Sequence, residues 1–206
     1  MSAIIPSKAA ATTAASTIFK CLNGTWTLHR TLTSAIPSFP SGTFTGSATF
    51  TPLPPSSSGS STSTSPSSTL LYTETGELVT TTGLTLRANK KYIYTYSPTD
   101  DKISAWFVKE QSRGQGQKGN DNNTKDSNVE IDYLFHELVF AEQGEGSGVS
   151  SADGKWKACA DHLCIKDNYS ARYEFDIKGE EVRSWVLRYD VKGPAKDYVS
   201  ETRFER

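Results

Sequence analysis

Two of the three histidines lie in segments where apolar and polar residues alternate. Along one segment, His162 shares its side with Ala160. Along another, His136 shares its side with Leu134 and Leu138. Because successive side chains of a β-strand point to opposite faces, both imidazoles are predicted to face an apolar interior. There each would be either a neutral histidine bonded to tyrosine hydroxyls or backbone groups, or a group that contacts a ligand or a metal ion.

The residues after His162 could place more chemistry beside it. Asp167 and Asn168 suit a tight turn, which would bring His162 and Tyr169 to the same end of a sheet. His162, Asp167 and Tyr169 are therefore the candidate acid–base residues of an enzyme. The alternative for Asp167 is structural, because an aspartate often caps its own turn through an Asx hydrogen bond. Tyr169 and Tyr173 would then remain as hydroxyl groups in a pocket.

Two cations join these candidates. Arg30 shares its predicted face with Trp26, so it would need a buried anion or a ligand as partner, unless a twist at the strand end exposes it. Lys192, beside the turn at Gly193 and Pro194, could lean inward and hold a ligand carboxylate. The predicted ligand-binding residues are His136, His162, Tyr169, Tyr173, Trp185, Tyr189, Arg30 and Lys192.

The composition excludes several classes of protein. Among the 206 residues, 22 Lys and Arg stand against 23 Asp and Glu, so the net charge of −1 gives no bias toward nucleic acid. No run approaches the roughly 18 apolar residues of a transmembrane helix, and the first residues lack the features of a signal peptide. Cys21, Cys159 and Cys164 lack the spacing of a zinc site or a disulfide framework, so no metal site is predicted. We therefore expect a cytoplasmic protein with reduced thiols.

Alternation at period two recurs along most of the chain and predicts an all-β fold. One short helix, Ser16–Leu22, precedes the strands, with Ser16 or Thr17 as its N-cap. Short turns between sequential strands favour an antiparallel up-and-down barrel, because closure removes unpaired edges, and a sandwich is the alternative. The predicted segments, which give about ten strands, are Trp26–Leu32, Thr43–Phe50, Leu70–Glu74, Leu78–Leu86, Lys91–Tyr96, Ile103–Val108, Glu130–Phe140, Trp156–Leu163, Tyr169–Ile177, Val182–Val191 and Lys196–Phe204.

Three polar stretches interrupt the strand pattern, at residues 54–69, 110–128 and 142–154. These stretches are rich in Ser, Gly, Asn and Gln, and such residues cannot bury enough apolar surface to offset the entropy of ordering the backbone. We therefore predict a disordered segment at residues 1–16 and one barrel domain at residues 17–206 with three mobile loops.

The tripeptide Gly24-Thr25-Trp26, directly after the predicted helix, resembles the Gly-x-Trp motif that opens the first strand of calycin barrels. The resemblance implies that a basic residue of the last strand, Arg203 or Arg206, packs over Trp26. A cation–π contact would give that packing its physical basis.

A larger set of motifs is similar to an uncharacterised fungal and bacterial domain family, whose members are expected to be calycin-like barrels related to lipocalins and nitrobindins. The resemblance implies the fold but no activity, because the family has no established activity. The motifs are Gly24-Thr25-Trp26, Ala48-Thr49-Phe50-Thr51-Pro52, Tyr72-x-Glu74-x-Gly76, His162-x-Cys164-x-x-Asp167-x-Tyr169 and Val191-Lys192-Gly193-Pro194-x-Lys196-Asp197-Tyr198.

The predicted interior is mostly apolar with a few polar groups, which favours binding of a small, weakly polar, aromatic or lipid-like molecule. A filled interior is the alternative, because about eight strands only just leave room for a ligand. Three other functions stay open. They are haem binding through one histidine, a cofactor-free isomerase, cyclase or dehydratase that uses an interior histidine, and an interaction protein that works through its long loops.

Overall fold

The computed structural model consists of one helix followed by ten strands, and it describes residues 13–37, 39–54, 68–109, 129–141 and 153–206. The elements are α1 (Ala14–Leu22), β1 (Gly24–Ser34), β2 (Gly42–Pro52), β3 (Thr69–Thr80), β4 (Thr85–Ser97), β5 (Lys102–Val108), β6 (Ile131–Phe140), β7 (Asp153–Cys164), β8 (Asp167–Lys178), β9 (Glu181–Lys192) and β10 (Asp197–Glu205).

The ten strands form a closed antiparallel barrel. Each strand pairs with its neighbours in sequence, and β1 pairs with β10 to close the sheet. Alternating side chains give the wall one apolar face, and closure both buries that face and leaves no outer strand without a partner. The predicted all-β up-and-down barrel is therefore confirmed, and the sandwich alternative is wrong.

The predicted division of the third strand is wrong. A break was expected between Glu74 and Leu78, but β3 runs through Gly76 without interruption, and the turn to β4 comes at residues 81–84. Gly76 lies opposite Gly46 in the ladder. A Cβ atom at Gly76 would lie 2.3 Å from the Thr45 carbonyl oxygen, so this glycine permits a close approach between strands instead of a turn.

Most of the predicted disorder lies outside the described residues. This applies to residues 1–12 and to most of the three predicted loops. The described residues shorten those segments, because α1 already begins at Ala14, β3 at Thr69 and β7 at Asp153. The helix N-cap is also different from the prediction, since Thr13 Oγ1 accepts a hydrogen bond from the Ser16 N–H at 3.2 Å. Within the described residues, no helix has the length and apolar character needed to cross a membrane.

The helix and the chain end together close one end of the barrel. Trp26 is completely buried beneath α1, and its indole N–H donates to the Leu22 carbonyl at 2.8 Å. The guanidinium carbon of Arg206 lies 4.3 Å from the Trp26 ring centre, and its Nη2 donates to the carbonyl of Asn23 at 2.7 Å. Of the two predicted cations, Arg206 therefore packs over the tryptophan, whereas Arg203 is exposed.

Aromatic side chains fill the barrel half next to this closed end. The Trp185 ring stacks on Phe204 with 3.6 Å between centres and meets Trp26 edge-on at 6.2 Å. Phe50 and Phe175 pack against Trp185 from other strands. Among the described residues this packing fills the closed half, and a cavity lies toward the opposite end, which we call the open end. The closed half of the barrel is therefore filled, and the open half contains a cavity.

Replacing Trp26 with alanine should lower the free energy of unfolding by about 3–5 kcal/mol, because it leaves a large cavity under α1. Urea denaturation followed by circular dichroism measures the loss. The variant Arg206→Met keeps the aliphatic length and removes the charge, so it should cost only about 0.5–1 kcal/mol. An unfolding midpoint that does not move in Trp26→Ala would show that the ring does not secure the closed end.

Candidate functional site

A cavity of about 290 Å³ occupies the open end of the barrel. An apolar cavity of roughly 150 Å³ is enough for benzene, so this volume admits a larger aromatic molecule. Its walls are mainly aromatic, and the aromatic lining residues are Phe39, Phe44, Tyr92, Phe135, Tyr169, Tyr189 and Tyr198.

A buried ion pair forms the polar part of the cavity wall. The two Nη atoms of Arg30 each donate to one oxygen of Glu74 at 2.7 Å, and Arg30 Nε donates to Thr202 Oγ1 at 2.7 Å. Only 13% of the Arg30 side chain and 2% of the Glu74 side chain are exposed. The sequence-based requirement of a buried anion for Arg30 is therefore met by Glu74.

The surroundings of Glu74 hold it ionised. Burial alone would raise the pKa of this carboxyl, but the hydrogen bonds and charge of Arg30, with smaller contributions from Lys90 and the Tyr72 hydroxyl, outweigh burial and lower the pKa. Tyr72 Oη donates to Glu74 Oε2 at 2.6 Å. Glu74 was not predicted as a site residue, although it follows Tyr72 by two positions and so shares its face.

Of the two lysines beside the β9–β10 turn, Lys196 reaches a cavity-lining residue and Lys192 does not. Lys196 Nζ donates to Tyr169 Oη at 2.5 Å and lies 5.2 Å from the centre of the Tyr169 ring. Lys192 points out of the barrel, with 64% of its side chain exposed, and pairs with Asp197. The prediction that Lys192 leans into the barrel mouth is wrong, because the period-two alternation turns it outward next to the inward Val191.

Asp167, the first residue of β8, caps the β9–β10 turn. It is 6% exposed, and its Oδ1 accepts the backbone N–H of Ala195 at 3.0 Å. A Cβ atom at Gly193 would lie 2.1 Å from the same oxygen, so the turn needs a glycine there. The expected cap of its own turn is thus replaced by a cap of the β9–β10 turn.

A β-bulge in β6 changes which residues face the interior. His136 pairs with Ala105, but Leu134 already pairs with Trp106, so Phe135 is an extra residue in the ladder. Phe135 is 6% exposed, His136 is 3% exposed and Leu134 is 37% exposed. The prediction that Leu134 shares the inner face with His136 is wrong, and Phe135 takes the inner position that the sequence pattern did not reveal.

The two interior histidines belong mainly to the packing. His136 Nε2 lies 2.7 Å from Tyr173 Oη, and burial together with the nearby His162 lowers the pKa of His136 to about 4. The His162 ring lies 5.0 Å from the Phe135 ring, and its buried Nε2 has no hydrogen-bond partner among the described residues. Burial lowers the pKa of His162 more than its hydrogen bond to the Phe135 backbone raises it. Both imidazoles are therefore neutral at neutral pH.

The structure brings only part of the predicted set to the cavity. Arg30, Tyr169 and Tyr189 line it. The predicted residues that do not line it are His136, His162, Tyr173, Trp185 and Lys192, and the lining residues that were not predicted include Glu74, Lys90, Phe135, Tyr198 and Ser200. In the described ranges no group of three His, Cys, Asp or Glu side chains could hold a metal ion.

Comparisons with known proteins assign the chain to a family but do not assign it an activity. A family model described as a family of unknown function (DUF6314) matches residues 22–206. A solved structure of an S-type phycobiliprotein lyase, CPES, from Guillardia theta aligns with a TM-score of 0.49 and 8% sequence identity, over 92% of this chain and 90% of that chain. No curated protein matches the sequence. The sequence-based resemblance to an uncharacterised domain family is therefore confirmed.

The stability of the barrel should fall as the pH drops below neutrality, because His136 takes up a proton less readily in the folded protein than in the unfolded chain. With a pKa of about 4 in the fold and 6.5 as the ordinary value, this residue should cost about 2 kcal/mol of stability between pH 7 and pH 5. Urea denaturation at both pH values measures the difference.

In this experiment the variant His136→Gln should show a smaller pH dependence, because glutamine does not titrate. His29→Gln removes an exposed histidine and should keep the dependence of the unmodified protein. If His136→Gln keeps the full loss between pH 7 and pH 5, another group is responsible for it.

Proposed function

The chain belongs to the family of unknown function DUF6314, and we propose that it binds a small, weakly polar aromatic molecule in the cavity at the open end of its barrel. The observation that carries this proposal is a cavity of about 290 Å³ with mainly aromatic walls around one buried ion pair. Sites for small molecules in proteins combine a largely apolar lining with a few placed polar groups.

The orientation of the aromatic rings supports a flat ligand. Phe135 stacks on Tyr92 with 5.5 Å between ring centres and an angle of 11°, and it faces Tyr189 at 6.1 Å and 30°. An aromatic ligand beside this stack can meet its rings in offset or edge-to-face contacts, the two arrangements that aromatic pairs prefer. An aromatic ring in the cavity would also restore the dispersion contacts that the lining side chains lack while the space is empty.

Haem binding loses support from this geometry. An iron ligand needs an imidazole nitrogen presented to the cofactor. His136 Nε2 is engaged by Tyr173 at 2.7 Å, and neither His136 nor His162 lines the cavity. A ligand bound by packing and hydrogen bonds fits these residues better than a metal cofactor.

An enzymatic function would depend on Tyr169 and Lys196, instead of on the expected His162 and Asp167. Tyr169 lines the cavity and accepts a hydrogen bond from the ammonium group of Lys196. This contact holds the Tyr169 hydroxyl at the cavity wall, where it could exchange a proton with a bound molecule. If the protein is an isomerase, cyclase or dehydratase, Tyr169→Phe should abolish turnover and preserve ligand binding. The loops on which an interaction protein would depend lie mainly outside the described residues.

Binding of 2-naphthamide, a neutral bicyclic aromatic probe, tests the proposed site by fluorescence titration. The variant Ala88→Trp places a large side chain at a lining position and should weaken binding by at least about tenfold. Arg87→Trp makes the same kind of change one residue earlier, on the outer face of β4, and should leave binding unchanged. Equal affinities for the two variants, or no binding by the unmodified protein, would contradict a site in this cavity.

A further inference from the structure

The cavity has more positive than negative charge. Among the lining residues, Arg30 and Lys90 are cations and Glu74 is the single anion. Both oxygens of Glu74 already accept hydrogen bonds from Arg30, and Oε2 also accepts one from Tyr72. In the part of the chain that the structure describes, no carboxylate lies within ion-pair distance of Lys90. One positive charge at the cavity is thus left without a partner.

Arg30 also keeps hydrogen-bonding capacity. A guanidinium group carries five N–H donors. Glu74 and Thr202 take three of these donors. One N–H on each Nη atom is left, and the two point away from each other, so an acceptor in the cavity that Arg30 lines can take one of them. Hydrogen bonds from a charged donor to a charged acceptor are stronger than those to a neutral one.

A second depression adjoins the cavity. The β4–β5 ladder begins at Tyr92 and Phe107, and β5 ends at Val108, so no described residue of β5 pairs with the earlier part of β4. A depression of about 420 Å³ lies beside these residues, and Lys90, Lys91, Tyr92 and Phe107 line it. The cavity and this depression share Lys90 and Tyr92. Lys90 therefore lies where the two spaces meet.

We propose that the ligand is an aromatic carboxylate, which places its carboxylate between Lys90 and a free N–H group of Arg30. This inference rests on the proposed function, since it specifies the ligand of the same cavity. The carboxylate supplies the charge that the cavity lacks, and its oxygens accept hydrogen bonds from the ammonium group of Lys90 and from one N–H of Arg30. The positive charge of Lys90 also attracts anions from solution and raises their rate of association.

Two probes that share a ring system and differ in charge separate the inference from the proposed function. 2-Naphthoate and 2-naphthamide share one ring system, and the first carries a carboxylate where the second carries a neutral amide. The unmodified protein should bind 2-naphthoate about tenfold more tightly at low ionic strength, and added salt should reduce this preference. Lys90→Met should reduce affinity for 2-naphthoate about fivefold and leave affinity for 2-naphthamide unchanged. Lys192→Met removes an exposed lysine elsewhere and should change neither.

The possible results of this experiment separate the carboxylate inference from the proposed function. Equal affinity for the two probes would overturn the carboxylate inference and leave the aromatic cavity as the binding site. An equal loss for both probes in Lys90→Met would also overturn it, because the lysine would then act through shape. If neither probe binds, the proposed function fails together with the inference.

Discussion

The ion pair of Arg30 with Glu74 is the interaction on which the open half of the barrel depends. It joins β1 to β3, and the bond from Arg30 to Thr202 adds β10, so three strands are held across the interior. Two charges are removed from water there, and only the bidentate geometry and the added hydroxyl bonds from Thr202 and Tyr72 offset that cost. Loss of one partner would leave the other charge buried and unpaired. The pair therefore fixes both the shape of the cavity wall and the hydrogen bonds available to a ligand.

The closed half is built on a different principle, because aromatic side chains fill it. Trp26, Trp185 and Phe204 pack ring against ring, and the helix and the C-terminal Arg206 cover them. Aromatic burial on this scale supplies the stability that an open, partly polar half cannot supply. One barrel can thus combine a filled end with a cavity, because the strands run through both halves while the packing of their side chains differs.

The sequence predicts the barrel well because period-two alternation reports directly which face of each strand is buried. It also predicts that Arg30 needs an anion, which the structure supplies in Glu74. It fails at Phe135, because a bulge shifts the alternation by one residue, and nothing in the sequence pattern indicated the position of that bulge. The same alternation turns Lys192 outward next to the inward Val191, so the prediction for Lys192 went against the pattern, whereas Lys196 follows a Gly-Pro turn, where alternation gives no direction. Which of the inward-facing residues reach the cavity depends on the register between neighbouring strands. That register cannot be read from the sequence of one strand.

The charges at the cavity are only partly balanced. Lys90 lies opposite Glu74 in the β3–β4 ladder, so it is attracted by that carboxylate and repelled by Arg30. Both oxygens of Glu74 are engaged by Arg30, so one carboxylate is shared between two cations. The proposed aromatic carboxylate would lie between these cations and reduce their repulsion, so it would stabilise the fold by linkage. The lysine that Arg30 repels would then be the residue that makes the cavity selective for a negative charge.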